Sequence, residues 1–278
     1  PLRRQRQMCI RDRPNGGRQT FNAIYLAQNI GVALGAALGG FVAEFSFNFI
    51  FLANLVMYVL FALVAITQFN LEIHAKVKHQ DAVDLKSKEN RKRFTAMMLV
   101  CTMFAICWIA YIQWETTIAS FTQSINISMS QYSVLWTING IMILVAQPLI
   151  RPIIVILRGN LKHQMFVGIL IFMCSFLVTS FAHHFAIFVV GMVILTFGEM
   201  FVWPAVPTIA NKLAPEGKQG QYQGFVNSAS TVGKAFGPFI GGILVDAMNM
   251  SMMFVGMIVL LCFGLIFLSI FDRGLPKD

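Results

Sequence analysis

Two glycine-rich stretches decide the fold: "IGVALGAALGGFVAE" at residues 30–44 and "VGKAFGPFIGGILVD" at residues 232–246. They align without gaps, so each position of the first copy corresponds to the position 202 residues later. The matched glycines are Gly31, Gly35, Gly39 and Gly40 in the first copy and Gly233, Gly237, Gly241 and Gly242 in the second. Glycine at every fourth position lets a membrane helix approach its neighbour closely. The repeat therefore predicts two related halves, each containing a closely packed helix.

Most of the chain is apolar enough to lie in a lipid bilayer. Of its 278 residues, 57% are hydrophobic and 12% are charged, whereas a soluble domain carries roughly 25% charged residues. The charges cluster between apolar segments, several of which exceed the ~18 residues that cross a bilayer. The composition predicts an all-α polytopic membrane protein with eight transmembrane helices. The expected spans are 22–44, 48–68, 94–120, 130–150, 163–182, 185–208, 220–246 and 250–271.

Apart from Lys234 and residues 1–13, lysine and arginine lie only at the two ends of the chain and in alternate links between these spans. They occur at Arg18, in 69–93, in 151–162, in 212–218 and after 272, and the intervening links have none. Cytoplasmic loops carry an excess of Lys and Arg, so these links, and with them both termini, are predicted to be cytoplasmic. The net charge of +9 then reflects membrane topology, and no nucleic-acid partner is expected.

The position of the repeat predicts six helices in each half. Each glycine helix is followed by one more apolar span, and four other spans lie between the two copies. The first half is then expected to lack its first four helices, which makes the eight spans helices 5 to 12. We expect 14–68 to be a remnant of the N-terminal half, 69–93 the cytoplasmic central loop, and 94–278 the complete C-terminal half.

The opening residues are predicted not to belong to the protein. Residues 3–12, "RRQRQMCIRD", match one reading frame of a transposase adapter used in DNA sequencing libraries at every position. The five arginines of 1–13 would otherwise suggest the charged start of a signal peptide, a lipid-binding arm or a nucleic-acid-binding arm. We regard 1–13 as a non-native, adapter-derived segment and base no functional inference on it.

Two six-helix repeats, a basic central loop and glycine-rich helices 5 and 11 resemble the major facilitator superfamily. That resemblance implies a substrate site between the halves near the bilayer midplane. Helix 5 is similar to the antiporter signature of drug exporters, G-x3-G-P-x2-G-G, except that Ala36 replaces its proline, which appears in the second copy as Pro238. The stretch "FGEMFVWPAVPTIANKLAPEGKQGQYQG" at 197–224 resembles helix 10 and its following loop in bacterial multidrug exporters. Proton-coupled peptide transporters share part of this pattern.

Two motifs have both a structural and a functional interpretation. The glycine ridges predict helix packing, and the family resemblance adds a role in sealing the cavity in one state. The loop "RPIIVILRGNLKH" at 151–163 resembles the conserved cytoplasmic loop of the superfamily in a degenerate form. Its Arg151 and Arg158 either anchor the topology or act as a gate.

Polar residues inside four predicted spans mark the candidate substrate and proton path. Such residues usually face the interior of a helix bundle, because a charge at the bilayer centre costs ~2.5–3.5 kcal/mol or more. Gln223 begins a polar stripe along helix 11. The candidates are Tyr111, Gln113, Glu115, Asn139, Gln147, Glu199, Trp203, Asn227, Thr231 and Lys234. Each could instead form an interhelical hydrogen bond, but their occurrence on four helices favours a polar translocation path.

The ammonium of Lys234 is expected to have a specific partner within the membrane. A lone charge there is costly, so we expect it to pair with Glu199 or Glu115, with Glu199 preferred because of its depth. Protonation of the acid or arrival of a cationic substrate would then release the lysine and favour the opposite opening. The alternative is a static pair that only fixes helix packing.

The residues favour a transporter over an enzyme. The sequence has no catalytic constellation, no nucleotide-binding loop and no metal-ligand cluster, so we expect no catalytic residues and no cofactor. The aromatic residues Phe104, Trp108 and Trp136 suit broad-specificity export. We therefore expect proton-coupled multidrug efflux of lipophilic or cationic small molecules by alternating access.

Two other functions remain open, namely proton-coupled uptake of a peptide or sugar and, more remotely, a non-transport membrane role. The expected partners are the lipid bilayer, a small-molecule substrate and protons. The expected location is a bacterial plasma membrane, where the full-length protein is expected to act as a monomer.

Overall fold

The computed structural model describes residues 26–32, 34, 35, 38, 39, 42, 47–68, 88–156 and 160–275. Within these ranges every regular element is a helix. The helices are α1 (Phe47–Gln68), α2 (Lys88–Tyr111), α3 (Thr117–Ser124), α4 (Met129–Val145), α5 (Gln147–Ile156), α6 (Leu161–Thr179), α7 (Phe185–Val202), α8 (Ala205–Leu213), α9 (Gln219–Ala247) and α10 (Met250–Ile270). The expected all-α architecture is therefore confirmed for this part of the chain.

Five helical segments of the described residues are long and apolar enough to cross a membrane, or six if a bent pair counts as one span. With the bent pair included, they correspond to six of the eight expected spans. The expected span 22–44 is only partly described, at 26–32, 34, 35, 38, 39 and 42. The expected span 220–246 is present as α9, which has 29 residues, but its glycines and polar side chains keep it out of the apolar set. The full count of eight spans is thus only partly supported.

Three expected spans are interrupted, and proline accounts for two of the interruptions. A 3-10 segment, Ile112–Trp114, separates α2 from α3. The axes of α4 and α5 differ by 56°, because Pro148 lacks the N–H that would continue the hydrogen-bonding pattern. Between α7 and α8 the chain passes through Trp203 and Pro204, the second proline at a break.

The core is built around α2, which packs against α9, α10 and α8. A second close pair is α6 with α7. Gly168 and Gly198 face each other across this pair, because a Cβ on either would lie within 3 Å of the other's carbonyl oxygen. The fully buried side chains of Phe172, Phe188 and Met97 fill the space between these layers. Small residues at helix contacts allow this packing in the absence of a hydrophobic driving force.

The first glycine ridge and α1 contribute little to this packed assembly. Among the described residues, a Cβ on Gly31, Gly35 or Gly39 would meet nothing within 4 Å, and Gly40 lies outside them. The apolar window of α1 has no buried part. Leu26, however, packs against a cluster of α4, α5 and α7 side chains. The division into a remnant half, a central loop and a complete half stays a prediction.

Candidate substrate and proton site

Glu199 is a buried carboxylate in the last turn of α7. Its side chain is 2% exposed, and its Oε2 accepts hydrogen bonds from the Tyr111 hydroxyl at 3.2 Å and the Asn139 Nδ2 at 2.8 Å. The donors come from α2 and α4, so three helices converge on one acidic group. The structure thus brings together three of the predicted path residues.

The orientation of the Asn139 amide is fixed by its neighbours. Its Nδ2 donates to Glu199 and also, at 2.9 Å, to the Thr196 hydroxyl oxygen. That hydroxyl already donates to the Met192 carbonyl, so it can only accept from Asn139. The Asn139 Oδ1 has no hydrogen-bond partner among the described residues. A buried acceptor of this kind is costly unless water or a ligand reaches it.

An aromatic cluster lies directly beside the carboxylate. Trp203 is its centre: it stacks on Trp108 with ring centroids 4.8 Å apart and contacts Phe104, Tyr111 and Phe172 at 5.2–5.4 Å. We call these five residues the aromatic cluster. Trp203 ends α7 immediately before Pro204, so the helix break positions its ring. Trp136 adds an edge contact to Tyr111.

A polar stripe on α9 ends at this cluster. Asn227, Thr231 and Lys234 are exposed and follow one another at spacings of four and three, which places them on one helix face. The Lys234 ammonium lies 4.0 Å from the Trp108 ring centroid, and its charge also acts on Glu115. The contact that the structure gives this ammonium is therefore an indole ring, and direct pairing with Glu199 stays a prediction.

Gln113 joins α2 and α9 at the second glycine ridge. Its Nε2 donates to the carbonyls of Ile109 and Gly237, and its Oε1 accepts from Thr117. It is fully buried, and a Cβ on Gly241 would collide with its amide. These contacts place Gln113 in a helix–helix clamp, and its part in the translocation path stays a prediction.

The other predicted residues lie outside these contacts. Glu115 is exposed, beyond the 3-10 segment that follows Tyr111. Pro238 is half-buried within α9, and a Cβ on Gly242 would meet nothing within 4 Å. Helix α5 includes Gln147 and Arg151, but their side chains are not among the described ones, and Arg158 lies outside the described residues.

Sequence reasoning missed Thr196 and Phe172. Thr196 lies three residues before Glu199 and hence on the same face of α7, a spacing that could have identified it. Phe172 on α6 gave no signal, because one phenylalanine among 26 does not reveal which ring it will contact. Within the described residues no group of three or more His, Cys, Asp or Glu residues could hold a metal ion.

Comparisons with known proteins place this chain within a transporter family. Residues 99–277 match the family described as Major Facilitator Superfamily. The chain is 47% identical over 264 residues to the uncharacterized MFS-type transporter YttB of Bacillus subtilis (strain 168), covering 95% of this chain and 66% of that protein. It is 25% identical over 240 residues to the MFS-type transporter YqjV of the same organism, covering 81% and 56%. The chain thus spans less than two thirds of either relative.

A solved structure shows the same fold. The chain superimposes on a crystal structure of a peptide transporter with a TM-score of 0.57, covering 91% of this chain and 52% of that one. Their sequences are 18% identical, so this likeness concerns the fold alone.

Proposed function

Because the chain belongs to the major facilitator superfamily, we propose that it serves in secondary active transport and exports lipophilic, cationic small molecules in exchange for protons. The observation that carries this proposal is one buried acid, Glu199, beside the aromatic cluster. Aromatic faces attract cations and bury apolar surface. A binding site lined by aromatic rings and one acid suits a substrate that is both apolar and positively charged.

In this proposal the carboxylate of Glu199 couples the movement of the proton to that of the organic cation. When it is ionised, it can neutralise an organic cation bound at the aromatic cluster. When it is protonated, that attraction is lost and the carboxyl becomes a hydrogen-bond donor. Proton and cation therefore compete for one group, and binding of either favours release of the other. Tyr111 and Asn139 hold the group in position through their hydrogen bonds.

Movement of α9 against α2 would connect this competition to alternating access. The stripe of Asn227, Thr231 and Lys234 lies on α9, and Tyr111 lies on α2. In this proposal the second glycine ridge lets the two helices pack closely in one state. The cytoplasmic Arg151 and Arg158 would act as a gate, and the protein would act as a monomer in the plasma membrane.

The second candidate function is proton-coupled uptake of a zwitterionic solute such as a peptide. One observation favours it: Lys234 and Glu199 offer opposite charges to the same cluster. Against it, the ammonium already lies over Trp108, and aromatic rings outnumber the charged groups around the cluster. We therefore prefer export of cations.

The test compares Glu199→Gln with Glu216→Gln in proteoliposomes of the full-length protein. Tetraphenylphosphonium serves as the lipophilic cation, and a dipeptide as the zwitterion. Glu216 is exposed in the turn between α8 and α9, so its substitution is the matched control. We expect a pH gradient to drive tetraphenylphosphonium uphill in the wild type and the control, and Glu199→Gln to retain only downhill flux.

Two results would overturn the proposal. Uphill cation transport at the wild-type rate in Glu199→Gln would show that this acid is not the coupling group. Uphill movement of the dipeptide without movement of the cation would establish the second candidate instead.

A further inference from the structure

The indole of Trp108 is the part of the aromatic cluster that α9 reaches. It is half-exposed, it stacks on Trp203 with an interplanar angle of 19°, and it meets Tyr111 edge-on at 5.3 Å. Indole is the aromatic ring that binds cations best. A cationic substrate that enters the cluster would therefore favour this ring, but the Lys234 ammonium is already 4.0 Å from its centroid.

Gly233, the residue before Lys234, allows α9 to approach α2 closely enough for this contact. A Cβ on Gly233 would lie 2.6 Å from the Ala105 carbonyl oxygen and would collide with the Trp108 Cβ. The backbones of α9 and α2 therefore meet at this glycine, and the next residue starts within reach of the indole. The lysine side chain is flexible, so the contact can break without a shift of the helix.

Resting on the proposed function, we propose that Lys234 is a tethered competitor, whose ammonium occupies the cation-binding ring of Trp108 until an organic cation displaces it. The ligands are organic cations with a delocalised or shielded charge, such as phosphonium and quaternary ammonium compounds. These lose less hydration than a primary ammonium when they enter an aromatic site. The tethered ammonium thus selects against strongly hydrated cations, which bind the aromatic ring too weakly to displace it.

The displaced ammonium has polar surroundings on its own helix. Thr231 and Asn227 lie about one and two turns earlier on the exposed face of α9. The Thr231 hydroxyl donates to the Asn227 carbonyl, so its oxygen can still accept a hydrogen bond from the ammonium. Displacement therefore moves the charge along a polar stripe, and it does not leave the charge in hydrocarbon.

The experiment measures equilibrium binding of tetraphenylphosphonium to the purified full-length protein through quenching of tryptophan emission. We compare Lys234→Met, which keeps a long apolar stem, with Lys234→Arg, which keeps a cation that stacks on aromatic rings. Lys212→Met is the control, because Lys212 is exposed in the last turn of α8. A neutral lipophilic probe measures any general change in the apolar site.

Removal of the competitor should strengthen cation binding. We expect Lys234→Met to bind tetraphenylphosphonium about tenfold more tightly, which corresponds to about 1.4 kcal/mol, with no change for the neutral probe. Lys234→Arg and Lys212→Met should stay within twofold of the wild type. In a Trp108→Leu background the gain from Lys234→Met should disappear, because the shared ring is gone.

The outcomes separate this inference from the proposed function. If the wild type binds the cation and Lys234→Met binds it no more tightly, the competitor role of Lys234 is refuted and the proposed function is not. An equal gain in affinity for the neutral probe also refutes the competitor role, because the lysine side chain would then only occupy space in the site. If neither the wild type nor Lys234→Met binds the cation, both the inference and the proposed function fail.

Discussion

The contact between α9 and α2 at Gly233 offers the sharpest test of the packing. Gly233→Ala adds one methyl group at a point where the helices already touch. That methyl would lie 2.6 Å from the backbone oxygen of Ala105 and would collide with the Trp108 Cβ. Neither the carbonyl nor the Cβ can rotate away, so the helices must move apart.

Gly242→Ala is a control in the same helix. A Cβ on Gly242 would meet no atom of the described residues within 4 Å, so the substitution is expected to change only helix propensity, by up to about 1 kcal/mol. The same propensity gain applies to Gly233→Ala and cancels in the comparison. What remains is the cost of overpacking, typically about 1–3 kcal/mol. A difference of about 2 kcal/mol corresponds to roughly 4–8 °C in Tm for 150–250 residues.

The assay is thermal unfolding of the purified protein followed by tryptophan emission, because Trp108 lies at the contact itself. We expect Gly233→Ala to melt several degrees below Gly242→Ala, which should match or slightly exceed the wild type. Equal melting temperatures for the two variants would refute the close packing of α9 on α2.

Two further predictions concern the hydrogen bonds of the site and the orientation in the membrane. Asn139→Leu removes the donor to the Thr196 oxygen and one donor to the Glu199 carboxylate, which keeps the Tyr111 hydroxyl, so we expect a loss of about 1–3 kcal/mol in the free energy of unfolding, measured by thermal melting; stability equal to the wild type would contradict the network. In a cysteine-free background, a cysteine at Ser124 should react with an impermeant thiol reagent from outside and one at Lys218 should not, because Lys and Arg mark the cytoplasmic side. The reverse labelling would overturn the orientation.

Sequence patterns predicted the elements that depend on local chemistry. The spacing of Gly233, Gly237 and Gly241 predicted a closely packed helix, and these glycines face α2 and the residues that follow it. A buried acid at Glu199 followed from the cost of a charge in an apolar segment.

Contacts between helices distant in sequence could not be predicted in the same way. The sequence predicted an acid, Glu199 or Glu115, as the partner of Lys234, and this pairing stays a prediction, whereas the contact of its ammonium with the ring of Trp108 gave no signal in the sequence. The outcome depends on where Gly233 places α9 against α2, which no single-helix pattern specifies. Tyr111 and Glu115 are four residues apart, as on one face of a regular helix, but the 3-10 segment between them changes the angle per residue, and only Tyr111 is buried.

Competition between proton and cation at Glu199 is tested most directly by proton release. Tetraphenylphosphonium is added to the purified full-length protein in weakly buffered solution, and released protons are measured with a pH indicator. The account predicts proton release on cation binding in the wild type and in Glu216→Gln, and none in Glu199→Gln. Cation binding without proton release in the wild type, or equal release in Glu199→Gln, would contradict it.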